Sequence, residues 1–352
     1  MEIRKYCIFI ISYKRAEFCR ENTYRVLNIF KHNAPIYIIC SDDDPTLEDY
    51  YRIYGKDNVL VFNKLDINER YKIDLADCYY GKNNKLISTV WCRTVQFEFA
   101  KKKGFEYFIT LDDDYTSFES RLISYNKGRY MLRRIREVFR YVDFDTVAEL
   151  MFRIIDSQPY ISCVCFAQNG DFIGGISNYL IRFGYKFKAM NFIYGTTKKM
   201  FKYVGRMNED VNKYLLDNNR GKLSLTLSDI NLDQVTTQKA KGGMTDIYKN
   251  FGTWTKSFYS VIHNPSAVKI DTIGNHRETF RIHHLINYDR CTPKILNERY
   301  CKSNIHNQEI EYLKVKNNRV IEDKIFYLKD IDVNNLVNIT YLTNSQDLND
   351  IF

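Results

Sequence analysis

Three acidic groups carry most of the chemistry suggested by this sequence of 352 residues. Asp112-Asp113-Asp114 directly follows the apolar run Tyr107-Phe108-Ile109-Thr110-Leu111. Carboxylates fixed at a strand end can hold a divalent cation, Mn2+ or Mg2+. Such a cation can bridge the two phosphates of a nucleotide diphosphate and neutralise charge developing on a leaving phosphate. Side chains alternate sides in extended backbone, so Asp112 and Asp114 can converge while Asp113 points elsewhere. A solvated acidic turn is the plain alternative, and the apolar strand in front of the triplet favours the metal. Ser41-Asp42-Asp43-Asp44 is a second acidic strand end. Asp42 or Asp43 could accept hydrogen bonds from a nucleobase imide or ribose hydroxyls, whereas Asp44 suits helix capping with Pro45 at the first helical position. Asn208-Glu209-Asp210 is the third acidic group. Asp210 or Glu209 is a candidate general base for an acceptor hydroxyl. A helix N-terminus there would lower its basicity, and Asn208 reads equally well as an ordinary cap.

Other groups add to this set. His283-His284 offers imidazole, which together with carboxylates suits Mn2+. On a strand the two rings face opposite sides, so only one is expected to reach a shared metal. Lys14 and Arg15, after Ser12 and Tyr13, follow the first strand, and Arg93 lies on the helix before the Asp triplet. Each of these cations can bind phosphate oxygens or stand as a solvated charge. Arg129, Arg133, Arg134, Arg136 and Arg140 form a basic run interleaved with Tyr130 and Phe139. Such a run can track a nucleic-acid backbone, and is otherwise a solvated face.

The elements that must position these residues alternate between strand and helix. Tyr6–Ile11, Ile36–Cys40, Val59–Phe62 and Tyr107–Leu111 read as buried strands. Helices are predicted at about Glu17–Phe30 and Ile87–Lys103, the latter closed by Gly104. This alternation predicts a doubly wound α/β sheet, whose ligands bind beyond the carboxyl ends of the strands. Ser12–Arg15, Asp42–Asp44 and Asp112–Asp114 all fall at such ends. Arg121–Arg140 reads as an inserted hairpin or loop. Thr146-x-x-Glu149 reads as a capping box. Ile161–Phe166 is a further strand, and Asn208 is expected to cap a helix through Leu216. A Gly242-Gly243 turn and a helix from Met244 to about Phe251 follow. Beyond about Arg290 the chain is polar and less periodic.

Composition sets bounds. The formal charge of +9 suits a polyanionic partner or simply solubility. The nine Cys are scattered without a metal-type CxxC pair, which fits reduced thiols in a cytosolic compartment. No apolar stretch approaches the ~18 residues of a membrane span, and the N-terminal run lacks a signal-peptide cleavage site.

Taken together, Phe9 to Arg15, Asp112–Asp114, Glu209-Asp210 and His283-His284 resemble GT-A glycosyltransferases in kind and order. More narrowly, Ile10-Ile11-Ser12-Tyr13-Lys14-Arg15-Ala16, Leu111-Asp112-Asp113-Asp114-Tyr115, Asn208-Glu209-Asp210-Val211 and Arg281-Ile282-His283-His284 are similar to the TET-associated glycosyltransferases of bacteriophages, relatives of the base-J glucosyltransferase. The resemblance spans roughly Tyr6 to Leu296. It implies a Rossmann-like, mostly parallel central sheet flanked by helices over residues 1–290, with a nucleotide-sugar-binding half (1–118), an acceptor half (119–290) and a C-terminal extension (291–352). It also implies a UDP-sugar donor and a divalent cation held by Asp112, Asp114 and His283 or His284. Nucleotide-sugar contacts would come from Ser12, Tyr13, Lys14, Arg15, Asp42, Asp43, Arg93 and Asp113. Asp210 or Glu209 would be the base, Gly174 and Gly175 would admit the acceptor, and Arg129, Arg133, Arg134 and Arg136 would contact DNA. The implied acceptor is a 5-hydroxymethylpyrimidine, foremost 5-hydroxymethylcytosine, in phage DNA inside the host cytoplasm, made by a partner base oxygenase. The implied transfer is inverting. The basic insert and the tail depart from a minimal domain and keep two alternatives open: a glycan or protein acceptor, and a non-catalytic nucleic-acid-binding module on a GT-A scaffold.

Overall fold

The first strand, β1 (Tyr6–Ile11), is apolar throughout and buried at every position, because the sheet around it is covered on both faces. Tyr6, Ile8 and Ile10 enter one core, and Cys7, Phe9 and Ile11 enter the other. The computed structural model describes residues 2–73, 89–127, 129–190, 192–235, 244, 248, 252, 254–273, 281–291, 315–316 and 319–320. With β1, the strands β2 (Ile36–Ser41), β3 (Val59–Phe62) and β4 (Tyr107–Asp112) form a parallel block in the order β3-β2-β1-β4. The register pairs Ile11 with Asp112, so the turn at Ser12 lies beside the Asp triplet.

The sheet continues through β5 (Tyr115–Asn126), β6 (Arg129–Arg136), β7 (Ile161–Gln168), β8 (Tyr185–Lys186), β9 (Ile193–Thr196) and β10 (Leu223–Gln234). Its order is β3-β2-β1-β4-β9-β7-β10-β5-β6, with β8 also paired to β10, making ten strands. The antiparallel partners β9, β5 and β8 run against the other strands, so the sheet is mostly parallel in direction. The carboxyl ends of β1, β2, β4, β7 and β10 therefore share one rim.

Helical segments flank the sheet. Ala16–Cys19 (α1) and Arg25–Ile29 (α2) are joined by a π turn at Arg20–Tyr24, where a continuous α-helix is predicted from sequence. Further helices are α3 (Leu47–Tyr54), α4 (Lys64–Tyr71), α5 (Val90–Lys102), α6 (Phe144–Ser157), α7 (Tyr179–Phe183), α8 (Glu209–Asn219) and α9 (Thr255–His263). A separate ribbon pairs β11 (Val268–Ile273) with β12 (Arg281–Ile286). Among the described residues, no helix is long and apolar enough to cross a membrane. Seven described cysteines are buried.

Some local expectations are corrected. The basic insert is a hairpin, as one of the two readings had it, but its first strand begins at Tyr115 and joins the sheet edge through β10. Helix α6 is capped by Asp143, whose side chain accepts from the Thr146 amide at 2.7 Å. Glu149 does not complete a capping box, because it lies on the buried face of α6 and accepts from the Arg4 amide at 3.0 Å and from Arg153 Nε at 2.9 Å. Thr46, not Asp44, is the cap residue of α3, and Asp44 instead accepts from the Thr46 amide at 2.8 Å. Gly242-Gly243, most of the Met244–Phe251 helix and most of the tail after Cys291 lie outside the described residues.

The core around β5 and β7 is aromatic. The Phe118 ring meets those of Phe30, Phe139, Phe144, Phe166 and Phe192 at centroid distances of 5.7, 5.2, 6.4, 6.3 and 5.6 Å, mostly edge to face. This cluster ties α2, α6, β5 and β7 into one body. Phe118→Ala is expected to lower unfolding free energy by about 3–5 kcal/mol in urea titrations, the cost of an aromatic-sized cavity that neighbours cannot refill.

Candidate active site

The Asp triplet is held by its backbone before its side chains are considered. Thr23, carried on the π turn, donates through Oγ1 to the Asp112 carbonyl and accepts from the Tyr115 amide, both at 2.8 Å. From the end of β10, the Val235 amide donates to the Asp114 carbonyl at 2.9 Å. The turn is thus clamped by two other elements at the shared rim.

Asp113, in the turn that follows β4, organises the turn after β1. Its Oδ2 accepts from Ser12 Oγ at 2.7 Å, and its Oδ1 pairs with Arg15 Nη1 at 3.1 Å. Ser12 Oγ also meets the Tyr50 hydroxyl at 2.7 Å, and that hydroxyl accepts from the Arg15 amide at 3.0 Å. Lys14 takes a left-handed conformation (φ 57°), and its amide donates to Asp44 Oδ2 at 2.7 Å. Ser12, Lys14 and Arg15 are therefore fixed by Asp113, Tyr50 and Asp44 together.

Arg93, on α5, is 1% exposed. Its Nη2 donates to Asp112 Oδ1 at 2.7 Å and its Nε to Glu209 Oε1 at 3.0 Å. Glu209 Oε1 also accepts from Thr89 Oγ1 at 2.6 Å. A guanidinium buried this deeply needs carboxylates against it, and Arg93 bridges Asp112 at the end of β4 to Glu209 at the start of α8. Glu209 is committed to that bridge. Asp210 is not part of it: its Oδ1 accepts only a local bond from the Val211 amide at 2.7 Å. Of the two candidate bases, the geometry favours Asp210.

The electrostatics of the triplet fit a cation. Burial pushes the Asp114 carboxyl up to about 7, with the Asp113 charge adding to it and Arg15 and Arg93 opposing. Its Oδ1 is buried and makes no hydrogen bond. Asp112 is raised well above the usual carboxylate range, by burial first and then by Asp114 and Glu209, against Arg93. Glu209 is raised by burial and by Asp210. Crowded, desolvated carboxylates with an orphan oxygen are the donor set that a divalent cation relieves.

The His pair departs from expectation. The His283 and His284 rings stack with centroids 4.2 Å apart and planes at 30°, instead of facing opposite sides; two-stranded ribbons such as β11–β12 twist strongly, which allows this overlap. Among the described residues, no three His, Cys, Asp or Glu side chains gather as a metal-binding group. His284 Nδ1 lies 3.3 Å from Asn208 Nδ2. Burial, followed by His283, Lys256 and Lys188, lowers the His284 imidazole to about 3. Asn208 makes no side-chain cap. It adopts φ 52°, and its amide group instead donates to the Lys256 carbonyl at 3.0 Å and to Ser260 Oγ at 3.1 Å, tying the start of α8 to α9.

At the neighbouring strand end, Asp42 Oδ2 accepts from Asn63 Nδ2 at 2.6 Å, and Asp43 pairs with Lys64 Nζ at 2.8 Å. The same ammonium lies 4.7 Å from the Tyr13 ring centroid and 6.0 Å from that of Trp91. The Arg206 guanidinium lies 5.6 Å from the Trp91 ring. Lys64, Trp91, Arg206, Tyr50, Thr89 and Thr23 were not singled out from the sequence. A Lys just after an Asn cap and a Thr inside a helix carry no local sign of their distant partners. Gly174 and Gly175, after β7 on the same rim, have φ of +101° and +62°, values that only glycine takes without strain. Arg129, Arg133 and Arg136 are exposed on β6. Arg134, on the same strand, pairs with Glu119 and with Asp233 at 2.8 Å.

Two measurements check this arrangement. Arg93→Ala strands two buried carboxylates and is expected to cost about 3–5 kcal/mol in denaturant titrations. Asp114 titrates near 7 in the folded chain against 3.8 ordinarily, so the native state holds its proton more tightly. That contribution to stability is full below pH 4 and is lost as pH rises through 7, at up to about 1.4 kcal/mol per pH unit. Thermal melts of metal-free protein are expected to show this decline, and Asp114→Asn to flatten it.

Comparisons with known proteins follow this geometry. A search of curated proteins finds no match. Three solved structures resemble the chain at low identity. TarS 1-349 from S. aureus is 12% identical over 74% of this chain and 65% of its own, with a TM-score of 0.37. The mannosyltransferase PcManGT from Pyrobaculum calidifontis, solved with GDP-Man and Mn2+, is 9% identical over 75% of this chain and 64% of its own (TM-score 0.39). The glucosyl-3-phosphoglycerate synthase from Mycobacterium tuberculosis, solved with Mg2+ and UDP, is 8% identical over 80% and 88% (TM-score 0.37). The chain thus spans just under two thirds of the first two. The family model for TET-associated glycosyltransferases matches residues 6–243, more than half of the chain. With the parallel block β3-β2-β1-β4 and an acidic turn closing β4, the fold is GT-A, and the chain belongs to the TET-associated glycosyltransferase family.

Proposed function

We propose that the protein transfers a sugar from a UDP-sugar to the hydroxymethyl group of a 5-hydroxymethylpyrimidine, foremost 5-hydroxymethylcytosine, in DNA, by a single inverting displacement that depends on a divalent cation. The observation that carries this reading is the buried, unpartnered Asp114 Oδ1 beside Asp112 at the carboxyl end of β4. Asp112 and Asp114 would hold the cation, with the His283-His284 pair as the candidate source of a third ligand. When bound, the cation supplies charge neutralisation on the departing diphosphate.

The chain's own residues do the rest. The Ser12–Arg15 turn, fixed by Asp113, presents a ring at Tyr13 and cations at Lys14 and Arg15 toward a nucleoside diphosphate. Lys64, paired with Asp43, lies over that ring, and Asp42 and Asp43 suit polar groups of base and ribose. Asp210 takes the proton of the acceptor hydroxyl as its oxygen bonds to the anomeric carbon and the bond from that carbon to the diphosphate oxygen breaks, releasing UDP. Arg93 holds Glu209 away from that role. Gly174 and Gly175 leave room for an acceptor against the backbone. A base stacked in a duplex cannot enter such a site, so the target must be flipped or the duplex opened. Residues 1–290 are taken as the transferase domain and 291–352 as an extension. The family's name supports a base oxygenase as the enzyme that supplies the hydroxymethyl group, in the cytoplasm of a phage-infected cell.

The test is a mass spectrum of nucleosides from 5-hydroxymethylcytosine DNA incubated with the protein, Mn2+ and a panel of UDP-sugars. A hexose- or pentose-sized gain on the modified base is expected. UDP release without any gain would overturn the DNA acceptor and point to a glycan or protein. Asp210→Asn is expected to lower transfer by about 10²–10⁴-fold, the usual contribution of a general base. Asp114→Asn is expected to abolish Mn2+-dependent UDP binding in calorimetry.

A further inference from the structure

The β5–β6 hairpin leaves the sheet. Strand β5 pairs with β10 only over Tyr115–Glu119, and β10 then takes β8 at Thr226 and Leu227. From Ser120 to Asn126, β5 pairs with β6 alone, in register from Ser120↔Ile135 to Asn126↔Arg129. The result is a two-stranded arm. It is braced at its root, where the Arg121 guanidinium lies 4.8 Å from the Phe172 ring centroid and Leu132 packs on Ala167, Phe172 and Leu180. Beyond that brace the arm is exposed. At its tip Tyr125 and Tyr130, 66% and 62% exposed, pair their rings across the strands at 5.0 Å.

The charge on this arm is one-sided. Residues 120–136 contain Arg121, Lys127, Arg129, Arg133, Arg134 and Arg136 and no Asp or Glu, against a net charge of +9 for the whole chain. Arg121 and Arg134 are engaged at the root. Lys127, Arg129, Arg133 and Arg136 are exposed. A like-charged row on an edge strand opposes pairing with a second copy. Guanidinium groups, which dominate here, match phosphate geometry. A two-stranded ribbon has the width that the major groove of B-DNA admits.

The arm also has a fixed origin, because β5 starts one residue after Asp114. Ten residue steps from Tyr115 to Tyr125 extend up to about 33 Å, close to the ~34 Å of one duplex turn. We propose that the β5–β6 ribbon is a DNA-tracking arm that lies in the major groove of the acceptor duplex and contacts it about one helical turn to one side of the base being modified. This deepens, and rests on, the DNA-acceptor reading above. The arm makes the requirement for flanking duplex asymmetric, because it projects in one direction only.

The test uses the full chain and duplexes of about 30 base pairs carrying one 5-hydroxymethylcytosine at the centre or about 5 base pairs from either end. Transfer is expected to fall at least ten-fold for one end placement and to stay near the central value for the other. The triple variant Arg129→Gln, Arg133→Gln, Arg136→Gln is expected to lose this asymmetry. Its affinity for unmodified duplex should show a salt slope shallower by about 3, the loss of three phosphate contacts. Tyr125→Ala with Tyr130→Ala gives a second variant, and thermal melts check that each is folded. Equal transfer at both ends would overturn the arm while leaving the DNA acceptor in place. If no duplex is modified, the acceptor reading fails, and binding alone decides the arm. Unchanged duplex affinity in both variants, no duplex binding by the wild type, equal affinity for polyglutamate, or a wild-type dimer lost in the triple variant would each overturn it.

Discussion

One buried guanidinium ties the end of β4 to the start of α8. Arg93 lies on α5, and it reaches Asp112 on one side and Glu209 on the other. Removing such a cation from water is costly, and the cost is offset only while both carboxylates stay in place. The separation of Asp112 and Glu209 is therefore held by one side chain between them. It does not depend on the many loops between residues 112 and 209. The same contact sorts the acids by role: Asp112 and Glu209 are held, and Asp114 and Asp210 lie outside the bridge.

The backbone follows a similar logic. The parallel pairing of β1 with β4 sets Ser12 beside Asp113, so the two strand ends are joined by short side-chain bonds. The π turn serves this junction, because it carries Thr23, whose hydroxyl bonds to both sides of the acidic turn. π turns inside helices recur at functional positions, and here the irregular helical segment coincides with the clamp on the triplet.

Much of this was legible from residue order. The apolar strands β1, β2, β3 and β4 announce themselves because they are largely buried on both faces, and Asp42–Asp44 and Asp112–Asp114 sit at the carboxyl ends of two of them. What sequence could not show is which distant groups meet. Arg93 looks like any helix charge until α8 arrives with Glu209. Thr146 and Glu149 have capping-box spacing, but Glu149 is drawn to Arg4 by the tertiary packing of α6. Asn208 precedes a helix and still spends its side chain on α9. The His283-His284 stack depends on the twist of a ribbon whose pairing is not encoded locally. In each case a long-range contact outweighs a local preference.

The strand that leaves the acidic turn is also the strand that builds the arm, with no loop between them. Length changes in the arm are thus constrained by parity. Adding one cross-strand pair of residues moves the tip outward and keeps Tyr125 and Tyr130 as partners, but turns them to the opposite face, which a second pair restores. Adding a single residue to one strand alone puts a bulge in the ladder. In relatives that share this arm, its length should vary in paired steps, as a ruler does when cut only at its graduations.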